Sequence, residues 1–534
     1  MSGRVRPSAD RSGSADGPAG DRPALKRAAQ APLGVEGRLY GLVFAAGTGS
    51  MATEICASRL LAPYFGSSTI VWANIIGLVL AALAVGYWLG GRLADRRPSR
   101  ALLGGLVAGA ACFVAAIPFV ARPFLDASTG ALDRVDAGAA IGSFFGALLL
   151  FAPPVVLLGA VVPFAIRLAI VDLARSGEIA GRVFALSTAG SLLGTFVPAL
   201  VAIPLVGTQR TLLATAVVLA LGGTLVLGRR FAAVALVPAV LFALPPGAVK
   251  ASAGLLYEHE SRYQFVQVVD EGGVRRLYLN EGLAIHSEWR RDTVLTGNEW
   301  DMFLAVPPLL GRPVERVAIL GNAGGTTARA YGVFYPQARI DGVELDPAVS
   351  EAGRRFLGLG SNPRLRVITA DARPFLRRTH ERYDVIAVDA YRQPYVPFYL
   401  ATQEFFRLVR EHLRPGGIVA LNVANVPGDD RLARGVAGTL ASVFPYVRMW
   451  PALPLNRLVL GFTAPVEPGR LRRGPARLRA LTALLERQMQ PVSPSADPWT
   501  DDRAPVEWVT DRMIVEYAAR GANAEQRLLP TAPR

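Results

Sequence analysis

The sequence predicts two architectures in one chain: an α-helical transmembrane bundle, then an α/β Rossmann-like domain introduced by a small β-hairpin subdomain. Three observations predict it. Apolar residues make up 51% of the 534 and charged residues only 19%, below the quarter usual in soluble domains. The apolar residues gather in runs between Leu39 and Pro246, several close to the ~20 residues a helix needs to cross the hydrocarbon layer. From about Val314 to Phe462, short apolar strands alternate with helical segments, the pattern of a parallel sheet covered on both faces.

Residues 1–36 are rich in Ser, Gly, Pro, Asp and Arg. They bury too little apolar surface to offset the entropy of ordering, so a disordered tail is expected, and no signal-peptide pattern stands in it. The bundle is expected over 37–247, with runs near 39–62, 69–91, 101–121, 139–166, 185–206, 211–228 and 231–246. Pro153-Pro154 and Pro163 predict that the fourth run is a broken helix lining a cavity. The glycines from Gly86 to Gly91 predict close helix packing rather than ligand contact. Glu54 and Arg59 are ionisable groups at membrane depth, where charge is costly. They read either as a substrate path or buried ion pair, or as an Arg59 that snorkels from the end of its span.

Arginine placement orients the bundle. Arg92, Arg96, Arg97 and Arg100 follow the second run, Arg167, Arg175 and Arg182 the fourth, and Arg229 and Arg230 the sixth. Placing these loops in the cytoplasm puts the N-terminus there too. The expectation is a multi-pass cell-membrane protein whose last run, 231–246, does not fully cross, leaving the C-terminal domain cytoplasmic. The formal charge of +15 is read the same way, as loop arginines near anionic headgroups rather than a nucleic-acid surface. Cys56 and Cys112 lie inside apolar stretches and the four histidines are scattered, so no metal site is expected.

In 250–310, alternation over Tyr263–Val269 and Arg275–Leu279 around Glu271-Gly272-Gly273 predicts a β-hairpin. The Rossmann-like domain is expected over 311–465, and C-terminal helices and a tail over 466–534. The basic stretch 464–490 reads as an exposed amphipathic helix whose neighbour is the membrane surface.

Four strand ends carry the chemistry. Val317 to Thr327 is an apolar strand run, a glycine-rich turn and a helix start. Gly321 permits the tight turn, and Gly324 and Gly325 let backbone N–H groups approach a ligand. The next strand ends about 20 residues on in Glu344, placed to take both hydroxyls of a ribose. The third leads to Asp371 and Ala372, where a carboxylate can meet the exocyclic amine of adenine. The fourth ends in Asp389, at the sheet edge where open α/β sheets bind ligands. Separately these are a turn glycine, helix caps and a solvated acid; jointly they predict a nucleoside site.

This region resembles the spermidine synthase family of aminopropyltransferases, and more closely the bacterial membrane-fused proteins in which such a domain follows a transporter-like helical bundle. The resemblance runs through Glu54, Arg59, Pro63–Ser67, Gly86–Asp95, Glu260–Gln264, Val343–Asp346, Tyr383–Ile386, Arg414–Gly417 and Thr500–Glu507. It implies a fold of the S-adenosylmethionine-dependent methyltransferase type. The implied cofactor is S-adenosylmethionine or its decarboxylated form, without a metal. It also implies that Gln264 reaches the cofactor, Glu344 the ribose, Asp371 and Ala372 the adenine, and that Asp389 faces the transferred group.

The departures bear on the acceptor. Where the family has an acid in the glycine turn, this chain has Asn322 and Ala323. Where it has a second aspartate that deprotonates the amine, this chain has Arg392. The family's Tyr-His-Glu segment aligns with Glu299-Trp300-Asp301, and its pocket glutamine with Ile285, beside His286. A guanidinium repels a dicationic acceptor unless Asp389, Glu299 or Asp301 screens it; otherwise Arg392 suits an anionic acceptor or a structural ion pair. The leading expectation is a membrane-anchored transferase with Asp389 positioning or deprotonating and Tyr391 and Arg392 contacting the acceptor. Its expected partners are a small-molecule acceptor (polyamine or other), the lipid bilayer and, in a homodimer, a second copy. The alternatives are a methyltransferase and a transporter-like protein with a non-catalytic nucleoside sensor.

Overall fold

The computed structural model describes residues 33–66, 69–132, 138–170, 172–228, 232–244, 247–282, 284–391 and 395–519. Arg392, Arg229 and Arg230, and most of both predicted tails, lie outside them. The first helix, α1 (Leu33–Phe65), starts inside the stretch expected to be tail. It is followed by α2 (Thr69–Arg96) and α3 (Arg100–Leu132). The proline-bearing fourth run forms three pieces, α4 (Gly138–Leu150), α5 (Ala152–Gly159) and α6 (Val161–Ala169). Then come α7 (Ser176–Val197), a π-helical turn Pro198–Ala202, α8 (Ile203–Leu227), broken at Gly207 with φ +83°, and α9 (Ala233–Ala243).

Among the described residues four stretches are long and apolar enough to cross a membrane: Val71–Arg96, Arg100–Ala127, Ala152–Ala169 and Leu173–Leu227. The last is broken at Gly207, and its two parts, α7 and α8, both pack on α1. Leu80, Trp88, Phe196, Leu205 and Leu236 stand more than half exposed on these helices. α1 is less apolar because it sits against other helices. A Cβ on Gly47 would lie 2.3 Å from the Ser187 carbonyl, and one on Gly190 2.2 Å from the Phe44 carbonyl. Here α1 and α7 touch backbone to backbone. Gly86 and Gly90 do the same for α2 against α5 and Ala160, with Cβ positions 2.4 Å from Val156 O and Ala160 Cα, so these glycines serve packing.

The α/β half holds two sheets. β1 (Leu255–Glu260), β2 (Phe265–Glu271), β3 (Val274–Leu279) and β4 (Ile285–Trp289) form an antiparallel sheet in sequence order, four strands where the alternation predicted two. After α10 (Glu299–Leu304) comes the large sheet. Its parallel part is built by β5 (Arg316–Leu320), α11 (Thr326–Phe334), β6 (Arg339–Glu344), α12 (Pro347–Phe356), β7 (Leu365–Thr369), α13 (Ala372–Arg378), β8 (Tyr383–Val388), α14 (Gln403–Glu411) and β9 (Leu413–Ala424). α15 (Arg431–Ala441), β10 (Tyr446–Leu453), β11 (Asn456–Phe462), α16 (Arg479–Gln488), β12 (Gln490–Pro491) and α17 (Val506–Ala519) complete it. The order β12-β10-β11-β9-β8-β5-β6-β7 reverses direction between β5 and β8. That switch point is where such sheets open a ligand crevice.

One expectation is corrected: the apolar side of the basic stretch 464–490 is not free for a membrane surface. Leu471, Leu478 and Leu485 are buried in the α/β core, Arg470 donates to the Leu309 and Leu310 carbonyls, and Arg472 pairs with Glu486. Its apolar stripe found a closer partner in its own sheet. Near the end of α1, Arg59 donates to the Arg262 carbonyl at 2.5 Å, tying the bundle to the small sheet.

Arg167 pairs with Asp95 at 3.3 Å and Gly104 abuts Leu227, which gathers the arginine-rich loops at one end of the bundle. The α/β half is fastened at the other end: Lys250 Nζ donates to the Pro63 carbonyl at 2.7 Å, Tyr64 to the Val249 carbonyl at 2.8 Å, and Thr208 to Glu260. An 11-residue α9 rises only about 16 Å, yet the chain returns past Arg210, whose guanidinium lies 3.5 Å from the Leu244 carbonyl. The domain is therefore fastened at the end of the bundle opposite the arginine loops.

Candidate active site

Strand β5 ends in Gly321, at φ +90°. A Cβ there would lie 2.4 Å from the Asp389 carbonyl, so only glycine lets the two central loops pass. Gly324 and Gly325 turn out to be small for packing: their Cβ positions fall 2.4 Å from Leu357 Cδ1 and 2.2 Å from Leu359 Cδ1. The N–H groups of the turn are also spent internally. Gly321 and Asn322 donate to Val343 O, Ala323 to Glu344, Gly324 to Ser287 Oγ and Gly325 to Asn322 O. The expected approach of Gly324 and Gly325 N–H groups to a ligand is thus corrected. A turn with no free donors cannot cradle a phosphate, whereas a nucleoside needs only the carboxylates above it.

Those carboxylates stand at adjacent strand ends. Glu344 accepts from the N–H groups of Ala323 and Asp346, both at 2.9 Å, which aims its oxygens over the turn. Burial pushes its carboxyl up to about 7 against those hydrogen bonds. Asp371 caps α13 through Arg373 N and accepts from the Tyr399 hydroxyl at 3.1 Å, while Ala372 is buried beside it. Gln264 opens the turn into β2. Its N–H donates to Ser261 Oγ, and that hydroxyl donates to Asp346 Oδ2 at 2.5 Å. Gln264 is so held across from the cap of α12.

Asp389 follows β8, its N–H on the Leu320 carbonyl. Asn422 Nδ2 donates to its Oδ1 at 2.8 Å, and Asn456 in turn donates to Asn422 Oδ1 at 2.9 Å. Burial pushes Asp389 up to about 6. Glu299, at the start of α10, lies in its field; burial first, then Asp389, push that carboxyl up to about 8. The Tyr391 hydroxyl accepts from Ala424 N–H at 2.7 Å and donates to Asn422 O at 3.0 Å. Both its donor and its acceptor roles are thus used by backbone, and the tyrosine clamps the loop after β8 onto β9. Asn422, Asn456, Tyr399 and Ser287 escaped the sequence reading. The polar Asn422, just before the end of an apolar strand, was the signal available for the first.

Residues 301–457 match the family described as the spermine/spermidine synthase domain. A probable polyamine aminopropyl transferase of Bifidobacterium longum is 38% identical over 192 residues, 36% of this chain and 42% of that protein. A polyamine aminopropyltransferase of Vibrio vulnificus is 34% identical over 133 residues, 24% of this chain and 44% of the relative. The chain thus spans about two fifths of the length of these curated relatives. A crystal structure of a probable spermidine synthase from Corynebacterium glutamicum overlays 49% of this chain and 94% of its own, with 20% identity and a TM-score of 0.38. Beyond its helical bundle, this chain therefore holds a stretch that matches the spermine/spermidine synthase domain and is similar to curated polyamine aminopropyltransferases over about two fifths of their length.

Proposed function

We propose that the protein is a membrane-embedded aminopropyltransferase that moves the aminopropyl group of decarboxylated S-adenosylmethionine to an amine. The observation that carries this reading is the line of carboxylates Glu344, Asp371 and Asp389 at strand ends about the switch point, Asp389 held there by Asn422. Glu344 suits the ribose and Asp371, with Tyr399 fixing one oxygen, the adenine amine. Carboxylates gathered at the strand ends attract a cationic acceptor, which favours an amine over an anion. The names of the curated relatives support the same reaction class. Catalysis would rest largely on holding the nitrogen in line with the methylene carbon on sulfur.

The exposed apolar faces of the helices support a lipid surround. With the arginine-rich end cytoplasmic, the α/β domain stands on the opposite face.

The test is turnover by the full chain in detergent micelles. With decarboxylated S-adenosylmethionine and a panel of diamines, methylthioadenosine and an aminopropylated amine are expected. The intact sulfonium should yield no methylated product. Asp389→Ala should lower kcat by at least ~100-fold, in the range of a lost general acid–base or positioning group. Methyl transfer, or donor binding without turnover on any amine, would replace this reading with one of the two alternatives.

A further inference from the structure

Asp389 is gripped from both sides of the switch point. Its main chain is held on the β5 side: its N–H donates to the Leu320 carbonyl at 2.8 Å, and its own carbonyl would stand 2.4 Å from a Cβ on Gly321. Its side chain is held on the β9 side, where Asn422 Nδ2 donates to Oδ1 at 2.8 Å. Among the described residues no other donor reaches the carboxylate. Asp389 is half-buried, so Oδ2 is the oxygen left for an incoming amine.

The direction of the Asn422 amide is fixed as well. An ionised carboxylate only accepts hydrogen bonds, so the amide turns its NH2 to Asp389 and its Oδ1 away. That oxygen accepts from Asn456 Nδ2 at 2.9 Å. Asn456 opens β11, whose antiparallel register sets it opposite Ala424 and sets Leu458 opposite Asn422. The Asn422 carbonyl fastens the same loop a second time by accepting from the Tyr391 hydroxyl at 3.0 Å. Asn422 is buried in a strand whose Val419, Ala420, Leu421 and Val423 are buried apolar residues. A polar side chain there costs free energy unless it is paired, and its partners are the acid and Asn456.

Building on the aminopropyl-transfer reading, we infer that Asn422 is the positioning residue for Asp389: it fixes Oδ1, leaves Oδ2 to the acceptor amine, and is itself held the right way round by Asn456. An acceptor arrives as an ammonium ion, and an ionised carboxylate attracts it and orients the proton it must lose. A donor on the charged form favours that form; burial raises the Asp389 carboxyl and the Asn422 amide opposes the rise. Glu299 on α10 and Tyr391 after β8 are the other titratable groups in the field of Asp389. Among the described residues neither donates to its carboxylate, so its direction is set by Asn422. The antiparallel strand β11 thereby serves the chemistry through Asn456, besides extending the sheet.

Asn422→Leu and Asn456→Leu, each made in the full chain and in an Asp389→Ala background, test this by turnover of decarboxylated S-adenosylmethionine with a diamine. In Asn422→Leu, kcat/KM for the diamine should fall by roughly 10–100-fold, the worth of a hydrogen bond to a charged group. The acidic limb of its pH profile should move to higher pH, because the charged form of Asp389 has lost its donor. Methylthioadenosine binding by calorimetry should stay within about twofold of wild type. In the Asp389→Ala background Asn422→Leu should lower the residual rate no further, since a residue that acts through Asp389 has nothing left to act on. Asn456→Leu, which keeps both groups of the Asn422–Asp389 bond, should move the limb the same way with a smaller loss, and it decides the matter if Asn422→Leu does not fold. An unmoved acidic limb, or an equal loss with and without Asp389, would overturn the assignment while leaving aminopropyl transfer intact. A wild-type protein that binds the thioether yet converts no amine would overturn both.

Discussion

Glu344 is buried and already holds two backbone donors, yet its carboxyl stays near 7. Ribose hydroxyls donating to it would favour its charged form, so nucleoside binding between about pH 5.5 and 7 should release a proton. Calorimetry in buffers of different ionisation heat measures this, and Glu344→Gln should abolish the release. The same groups set a stability slope. Glu299, Glu344 and Asp389 keep protons in the folded state that the unfolded chain has lost above pH 4 to 4.5. More protons on the native state mean that stability falls as pH rises. The unliganded protein should therefore melt at a higher temperature at pH 5 than at pH 8 so far as these groups decide it, with a smaller gap in Glu344→Gln. For Tyr391, Phe would leave Ala424 N–H and Asn422 O unpaired, at a cost of about 1–3 kcal/mol. Reduced thermal stability with measurable residual turnover is expected; an unchanged melting temperature with lost turnover would return Tyr391 to direct acceptor contact.

Among the elements, the glycine turn after β5 shows how a motif can be read correctly for place and wrongly for reason. The residues Gly321, Gly324 and Gly325 stood out in the sequence because of their spacing. That Leu357, Leu359 and Asp389 crowd them depends on α12, the turn after it and the loop after β8, all distant in the chain. The Asp371 strand end was equally legible, whereas Tyr399 (28 residues later) was not. In the bundle, α1 and α7 meet through Gly47 and Gly190. Gly190→Val should separate them, lowering the melting temperature of the detergent-solubilised protein by several degrees, while Gly181→Val, whose Cβ meets open space, should not.

Across the whole molecule, a run of hydrogen bonds joins the break in α8 to the candidate site. Thr208 donates through N–H and hydroxyl to Glu260 at 2.5 and 2.6 Å. The neighbouring Ser261 donates to Asp346, whose N–H donates to Glu344. Burial raises the Glu260 carboxyl, and Thr208 acts against that rise. Thr208→Val removes one donor from a buried carboxylate and should weaken thioether binding measurably although it lies outside the site; equal affinity would mean that the two halves are merely joined, not coupled. The sidedness of the domain is checked by thiol labelling of single cysteines placed at Asp497 and Arg97, which should react from opposite faces of sealed vesicles.

Local pattern decides what neighbours in sequence decide. Apolar run length, strand–helix alternation and acids at strand ends are short-range signals, and from them the bundle, the sheet and the line of Gly321, Glu344, Asp371 and Asp389 could be read. Contacts between distant segments carry no such period. Only the tertiary structure could set α9 back toward the domain, dock the arginine-bearing 464–490 stretch on its own core, close the turn N–H groups on protein acceptors, and fasten Asp389 to Asn422, because each depends on which surfaces pack rather than on which residues follow one another.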